Sequence, residues 1–290
     1  MTIKNLVLSG GSWKGFHMIG SIDKLIDEKY IVKDEIESIW GTSVGTLVAV
    51  LFCLKIEWKD ILSYFINLPL TAYNNLKMDF YLNAFKECGL FDQKFFLILL
   101  NSLFNSEQLN INEITLEGFY KYSNIELNFF TVNYETMETV GLNYKTRPTL
   151  KLIDAIYCSC SLPLLFKPKK IDNIIHLDGG LNVHYPVEYC LKEKVASETF
   201  GIYIKSINKL DNSPNILEFG LSLIYKIIFR NSRKTIGILK NEIVISCETI
   251  GLDGIFEIIK NKDLRRKKMD EGNMVSSTFL ETTFFQKKVD

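Results

Sequence analysis

Histidine is scarce in this chain, at three residues in 290, and paired cysteine spacing is absent. Six cysteines stand at positions 53, 88, 158, 160, 190 and 247, and no two form C-x-x-C. That excludes the usual zinc-site spacings and a thioredoxin-like redox motif. Their apolar neighbours, as in "LFCLK" and "EYCLK", mark them as buried reduced thiols of a cytosolic-type protein. No metal and no cofactor is expected, since no cluster of His, Cys and carboxylates has ligand spacing. An excess of one charge is also missing. The 34 basic and 34 acidic residues give a net charge of +0, so nucleic acid is not an expected partner. Long apolar runs are missing too. The longest, "ILEFGLSLIYKIIF" from Ile216, has 14 residues and contains Glu218 and Lys226, too short and too charged to span a bilayer. The opening "MTIKNLVLSGG" meets glycine too soon for a secretory signal peptide. A cytoplasmic protein, in peripheral contact with membranes at most, is the expectation. With no Ser/Pro-rich linker and no internal repeat, residues 1–290 read as a single domain.

The periodicity of what is present points to an α/β fold. "IKNLVL" reads as a buried strand, and Phe16, Ile19, Ile22, Leu25 and Ile26 then recur at helical spacing. "IESIWG" and "VGTLVAVLFCLK" repeat the strand–helix order, which favours a parallel sheet covered on both faces. Residues 57–122 read mostly helical. "IELNFFTVNYETMETVGLNYKT" reads as a hairpin turning near Glu135–Thr136. Thr149 stands where it can N-cap a helix, "LKLIDAIYCSCS", that ends before Pro163. "KIDNIIHLDGG" is a strand entering a glycine turn, and "TFGIYIK" and "NEIVISC" are later strands with a helix at 216–229 between them. From Lys260 the tail reads as a charged helix or a frayed end.

The stretch "SGGSWKG" places adjacent glycines at the first strand-to-helix junction. A Walker A loop would need Lys and Ser/Thr where Phe16 and His17 stand. A dinucleotide loop would need glycine where Ser12 stands. A plain tight turn remains open on this stretch alone. Gly41-Thr42-Ser43-Val44-Gly45 is a G-x-S-x-G pentapeptide where a second strand enters a helix. Such a turn projects a serine hydroxyl above the sheet edge, at a helix N-terminus that favours developing negative charge. An acyl-transferring serine also needs backbone N–H donors for the oxyanion, and the Gly10–Ser12 loop lies at the same edge of a parallel sheet. For the base, His184 and Asp178 both stand in "HLDGGLNVHYPV", while His17 lies near the start of the first helix and reads as a packed or partly exposed residue.

In this order and setting, "SGGSWKG", "GTSVG", "CSCSLPLLFKP" and "HLDGGLNVHYPV" resemble the patatin-like phospholipases over roughly residues 3–205. Lys14 and Gly15 match the family's basic residue and glycine after the loop. Gly41, Ser43 and Gly45 match its nucleophile block. Ser159, Ser161, Pro163, Phe166 and Pro168 match a block of small residues followed by Pro and Phe-x-Pro, and Asp178, Gly179 and Gly180 match its D-G-G. "GLFD" at Gly89–Asp92 is similar to its middle region. The resemblance implies a three-layer α/β/α fold with a mostly parallel central sheet. It also implies a Ser43–Asp178 dyad without a catalytic histidine, and an oxyanion loop of Gly10, Gly11 and Ser12. The implied activity is hydrolysis of phospholipid or lysophospholipid esters. Neutral-lipid hydrolysis, transacylation and weakly catalytic lipid binding are the rival activities. Ser12 departs from the family, which usually has a third glycine there. A positive φ at that position would strain a serine. Residues 206–290 match no named block and read as a helix-rich extension of the same domain.

Overall fold

Asn5–Leu8 folds as β1, and all four residues are buried. It lies parallel between β2 (Ser38–Thr42) and β9 (Thr199–Ile207), with Leu8 opposite both Gly41 and Ile202. β10 (Glu242–Glu248) extends the sheet past β9, and β4 (Glu126–Asn133) extends it past β2, both in parallel. β5 (Thr139–Leu142) and β8 (Ile174–Asp178) pair antiparallel with β4, and β7 (Lys170–Ile171) closes that edge. The computed structural model describes residues 2–68, 85–207, 216–232, 235–248 and 251–289.

Parallel strands need cover on both faces, and the side chains divide accordingly. Leu6, Leu8, Ile39, Ile202 and Ile204 enter the main core. There they meet α1 (Gly15–Asp27) and α2 (Val44–Cys53). Val7, Trp40 and Tyr203 enter a smaller cluster on the other face with Val187 and Cys190 of the short helix α7 (Val187–Cys190). The result is a central, mostly parallel sheet flanked by helices.

The 57–122 region is not all helix. It contains α3 (Trp58–Ile66), α4 (Lys94–Ser106) and α5 (Leu116–Ser123). It also contains a strand, β3 (Gly89–Phe91), paired parallel with β6 (Leu164–Phe166) in a separate two-stranded sheet. Residues 69–84 of that expectation lie outside the described residues. Thr149 does not cap the next helix. The N-cap of α6 (Leu152–Cys160) is Lys151, which bridges Thr115 and so holds the preceding backbone extended against the start of α5. The hairpin and the later strands form where the pattern placed them, and α8 (Ile216–Ser232) precedes β10.

The charged tail is a packed helix, not a frayed end. After α9 (Leu252–Lys260), α10 (Lys262–Val289) crosses α1 so closely that a Cβ on Gly20 would overlap the Met269 carbonyl, and one on Gly272 the His17 carbonyl. Ser21 Oγ meets Ser276 Oγ at 2.6 Å, and His17 Nε2 meets Glu271 Oε2 at 3.0 Å across the same contact. Buried Arg265 donates to the carbonyls of Phe65, Ile66, Ile258 and Ile259 at 2.7–3.1 Å. It therefore caps the C-terminal ends of α3 and α9, where orphan carbonyls and the helix dipole favour a cation. Arg265→Met should cost about 3 kcal/mol in a urea denaturation, because four buried carbonyls lose their donor. A loss below about 1 kcal/mol would mean that water takes over those carbonyls and the capping role is minor.

Candidate active site

β1 and β2 end side by side, so the loop after Leu8 and the turn after Thr42 share one sheet edge. Ser43 sits in that turn at φ 54° and ψ −125°, outside the helix it precedes. A non-glycine residue there costs about 1–3 kcal/mol and persists only when its surroundings hold it. Those surroundings are specific. Gly45 has no Cβ because one would collide with the Leu8 and Ser9 carbonyls. A Cβ on Gly41 would press to 2.9 Å on the backbone of Gly45 and Thr46. The Ser43 N–H donates to Ser159 Oγ at 3.0 Å, and that hydroxyl donates to the Phe130 carbonyl at 2.7 Å. Thr46 Oγ1 lies 2.9 Å from the same oxygen. Ser159 thus ties the turn to β4. The sequence placed it in a block of small residues but did not signal this role.

Asp178 ends β8 and is buried. Its Oδ2 accepts from Ser43 Oγ at 2.6 Å, and its Oδ1 accepts from the Gly180 N–H at 2.7 Å. Burial pushes its carboxyl up to about 6, against the opposing effect of the Ser43 and Gly180 hydrogen bonds. A Cβ on Gly179 would overlap the Phe130 carbonyl, which accounts for that glycine by close approach. The hydroxyl of Ser43 therefore donates to a carboxylate and not to a histidine.

The glycine loop differs in detail from expectation. The Gly10 N–H is engaged with the His184 carbonyl at 2.8 Å, so it is removed from the expected set of oxyanion donors. Its bare Cα fits instead between two side chains. A Cβ there would lie 2.9 Å from His184 Nδ1 and 3.4 Å from Ser43 Cβ. Among the described residues no acceptor takes the Gly11 or Ser12 amide. Ser12 has φ 54°, so the strained case holds, and its side chain meets Tyr225 of α8. Gly15 makes room for Val44, since a Cβ there would overlap that side chain. Lys14 faces away from the serine. Its Nζ donates to Ser206 Oγ at 2.8 Å and lies 5.2 Å from the Phe229 ring centre, anchoring the loop to β9 and α8. Burial lowers the Lys14 pKa to about 8.

His184 lies beside this loop, a placement its position in the sequence did not indicate. Its Nε2 bonds to the Ile204 carbonyl at 3.2 Å, and burial lowers its pKa to about 4. The ring is therefore neutral and carries its proton on Nε2, leaving Nδ1 directed at Gly10. His17 and His176 are buried elsewhere, at the α1–α10 contact and in β8.

Ser43 and Asp178 line a narrow cavity of about 90 Å³ that opens to solvent. Its walls are almost entirely apolar, among them Trp13, Phe16, Leu47, Phe95, Phe166 and Phe229. Apolar walls with a few polar groups gathered at one place are the means by which a site orients an apolar ligand.

Ser12→Gly should relieve the left-handed backbone and raise stability by about 1 kcal/mol. Activity should be equal or higher. Ser12→Ala keeps the amide and should retain activity within about threefold. A loss of two orders of magnitude in Ser12→Ala, with folding confirmed, would make the hydroxyl and not the amide the active donor.

A strained serine hydrogen-bonded to a buried carboxylate, in the wall of an apolar cavity, is equipment suited to cleaving esters of apolar acids. The sequence comparison agrees, because the family model for patatin-like phospholipase matches residues 6–191, and the chain belongs to that family. It is 27% identical over 218 residues to uncharacterized protein R571 of Acanthamoeba polyphaga mimivirus, covering 72% of this chain and 68% of that one. It is 26% identical over 194 residues to the probable lipid hydrolase 463L of Invertebrate iridescent virus 6, covering 65% of this chain and 63% of the relative. The mouse (Mus musculus) omega-hydroxyceramide transacylase is 25% identical over 193 residues, covering 65% of this chain but only 29% of the mouse protein. In structure, VipD from Legionella pneumophila superposes with a TM-score of 0.55 at 14% identity, over 97% of this chain and 67% of VipD. The type III effector ExoU of Pseudomonas aeruginosa superposes with a TM-score of 0.50 at 13% identity, over 97% of this chain and 53% of ExoU. These two likenesses concern the fold. Among the described residues no helix is long and apolar enough to cross a membrane.

Proposed function

We propose that this protein hydrolyses carboxylic esters of glycerophospholipids or lysophospholipids, with Ser43 as nucleophile and Asp178 as base. The observation that carries the reading is the 2.6 Å bond from Ser43 Oγ to Asp178 Oδ2 in the wall of the apolar cavity. The acyl chain lies in the cavity and the ester carbonyl sits at Ser43. As Ser43 Oγ bonds to the carbonyl carbon, its proton passes to Asp178. The Gly11 and Ser12 amides hold the oxyanion. Collapse breaks the ester C–O bond, and Asp178 returns the proton to the leaving glycerol oxygen. Water then attacks the acyl-enzyme and gives a proton to Asp178. The fatty acid leaves, and that proton returns to Ser43. A carboxyl near 6 is half ionised at pH 6 and mostly ionised at neutrality, which leaves it a base close to the range where a general base is most effective. In this reading residues 206–290 belong to the same functional unit, because β10 and α10 pack directly on β9 and α1.

The test is lipid-product analysis of wild type and Ser43→Ala side by side on labelled phospholipid and lysophospholipid. Released fatty acid from wild type alone is the expected outcome. Transfer to an alcohol is the second reading, favoured by the 25% identity to a mouse transacylase. Adding a long-chain alcohol separates the two, since a transacylase would yield the new ester at the expense of free acid.

A further inference from the structure

α8 is apolar on two opposite sides. Its inner side contributes Tyr225, Ile228 and Phe229 to the wall of the cavity that holds Ser43. Its outer side, one helical stripe at spacings of three and four, carries Ile216, Phe219, Leu223 and Ile227, which are 75%, 61%, 49% and 45% exposed. Four large apolar side chains in one exposed row are not the scattered singles of an ordinary surface. Exposed Lys226 and Arg230 lie along the same row. No carboxylate shares it, since Glu218, the acidic residue of α8, lies half-buried on another side.

We propose that this outer face of α8 docks the protein on a lipid bilayer with anionic headgroups, with the helix lying in the plane of the interface. The inference rests on the reading of the cavity as a lipid site. Two observations select a bilayer over a protein partner. The helix that presents the row is itself a wall of the cavity, so a lipid leaving the bilayer meets the cavity one helix thickness away. The two cations on the row suit phosphate and carboxylate headgroups, and apolar area combined with cations is what holds an amphipathic helix at an interface. Docking on this face sets the bilayer against the outer side of a helix whose inner side lines the cavity.

The experiment measures co-sedimentation with vesicles of phosphatidylcholine, and of phosphatidylcholine mixed with phosphatidylserine. It uses the full chain carrying Ser43→Ala, so that the vesicles stay intact. Phe219→Glu/Leu223→Glu should weaken binding to both vesicle types by roughly tenfold or more. Lys226→Gln/Arg230→Gln should weaken binding only to the serine-containing vesicles, and the difference should fade in high salt. In a Ser43 background, Phe219→Glu/Leu223→Glu should lower hydrolysis of vesicle lipid by a similar factor. It should leave hydrolysis of a water-soluble short-chain ester unchanged, which also shows that the variant is folded. Vesicle binding unaffected by both pairs of substitutions overturns the proposal. So does a parent protein that ignores vesicles but self-associates through this face, with the association lost in Phe219→Glu/Leu223→Glu. Absence of hydrolysis on every ester, with vesicle binding still dependent on α8, would overturn the proposed activity and leave the docking face standing.

Discussion

Ser43→Ala is expected to lower hydrolysis of phospholipid esters by roughly 10⁴-fold or more, with the fold intact. The size follows from what is removed. The acyl-enzyme can no longer form, so a single difficult displacement replaces two easier steps. The fold should survive because the anchors of the turn are backbone groups and neighbours. The Ser43 N–H still reaches Ser159, and Gly41 and Gly45 still allow the close approach of β1, β2 and α2. Alanine keeps the same strained backbone and withdraws the Ser43 donor from Asp178, a cost of about 1–3 kcal/mol that the fold can bear. A fluorophosphonate probe should label wild-type protein at Ser43 and leave Ser43→Ala unlabelled. Mass spectrometry placing the adduct on another serine, or a Ser43→Ala protein with a tenth or more of wild-type activity, would remove Ser43 from the nucleophile's place.

The centre of the fold was legible because its signals are local. A continuous apolar run made β1, and a glycine-flanked serine marked the turn after β2. The juxtaposition of Ser43 with Asp178 is not local, since 135 residues separate them. It was expected through the resemblance to a family, whereas the residues alone left His184 open as the base. Three features stayed hidden for physical reasons. The Gly10 amide looked free, because a carbonyl at position 184 gives no sign in sequence of where it will point. Ser159 looked like packing material, because a hydroxyl that holds another residue's N–H has no characteristic spacing. The tail looked solvated, because its charges outnumber its buried residues. Its packing on α1 depends on two glycines, and its tie to α3 and α9 on one arginine that serves carbonyls rather than carboxylates.

Asp178→Asn should lower activity nearly as far as Ser43→Ala, and it should also stabilise the protein, which separates a catalytic carboxylate from a structural one. Asparagine has the same shape. Its carbonyl can still accept from Gly180 and its amide can donate to Ser43, but it cannot take a proton. In wild type, burial raises the carboxyl from 3.8 to about 6. The folded state therefore favours the protonated acid. The stabilisation from that acid is complete below pH 4 and is lost as pH rises through 6. Above that pH the ionised carboxylate is carried at a cost of about 3 kcal/mol, taking about 1.4 kcal/mol for each tenfold change in proton affinity. Asparagine carries no such cost. Its stability advantage over wild type should grow from pH 4 to pH 7 and then level off, read as the difference between urea midpoints across that range. Wild-type activity should run the other way. It should fall below about pH 6 as the base becomes protonated, so the pH that favours catalysis is the pH at which the site burdens the fold. If Asp178→Asn loses stability at pH 7, the carboxylate is a structural partner whose charge the fold needs. If it keeps substantial activity, the proton of Ser43 goes elsewhere, and His184, with its unprotonated Nδ1 across Gly10, is the group to substitute next.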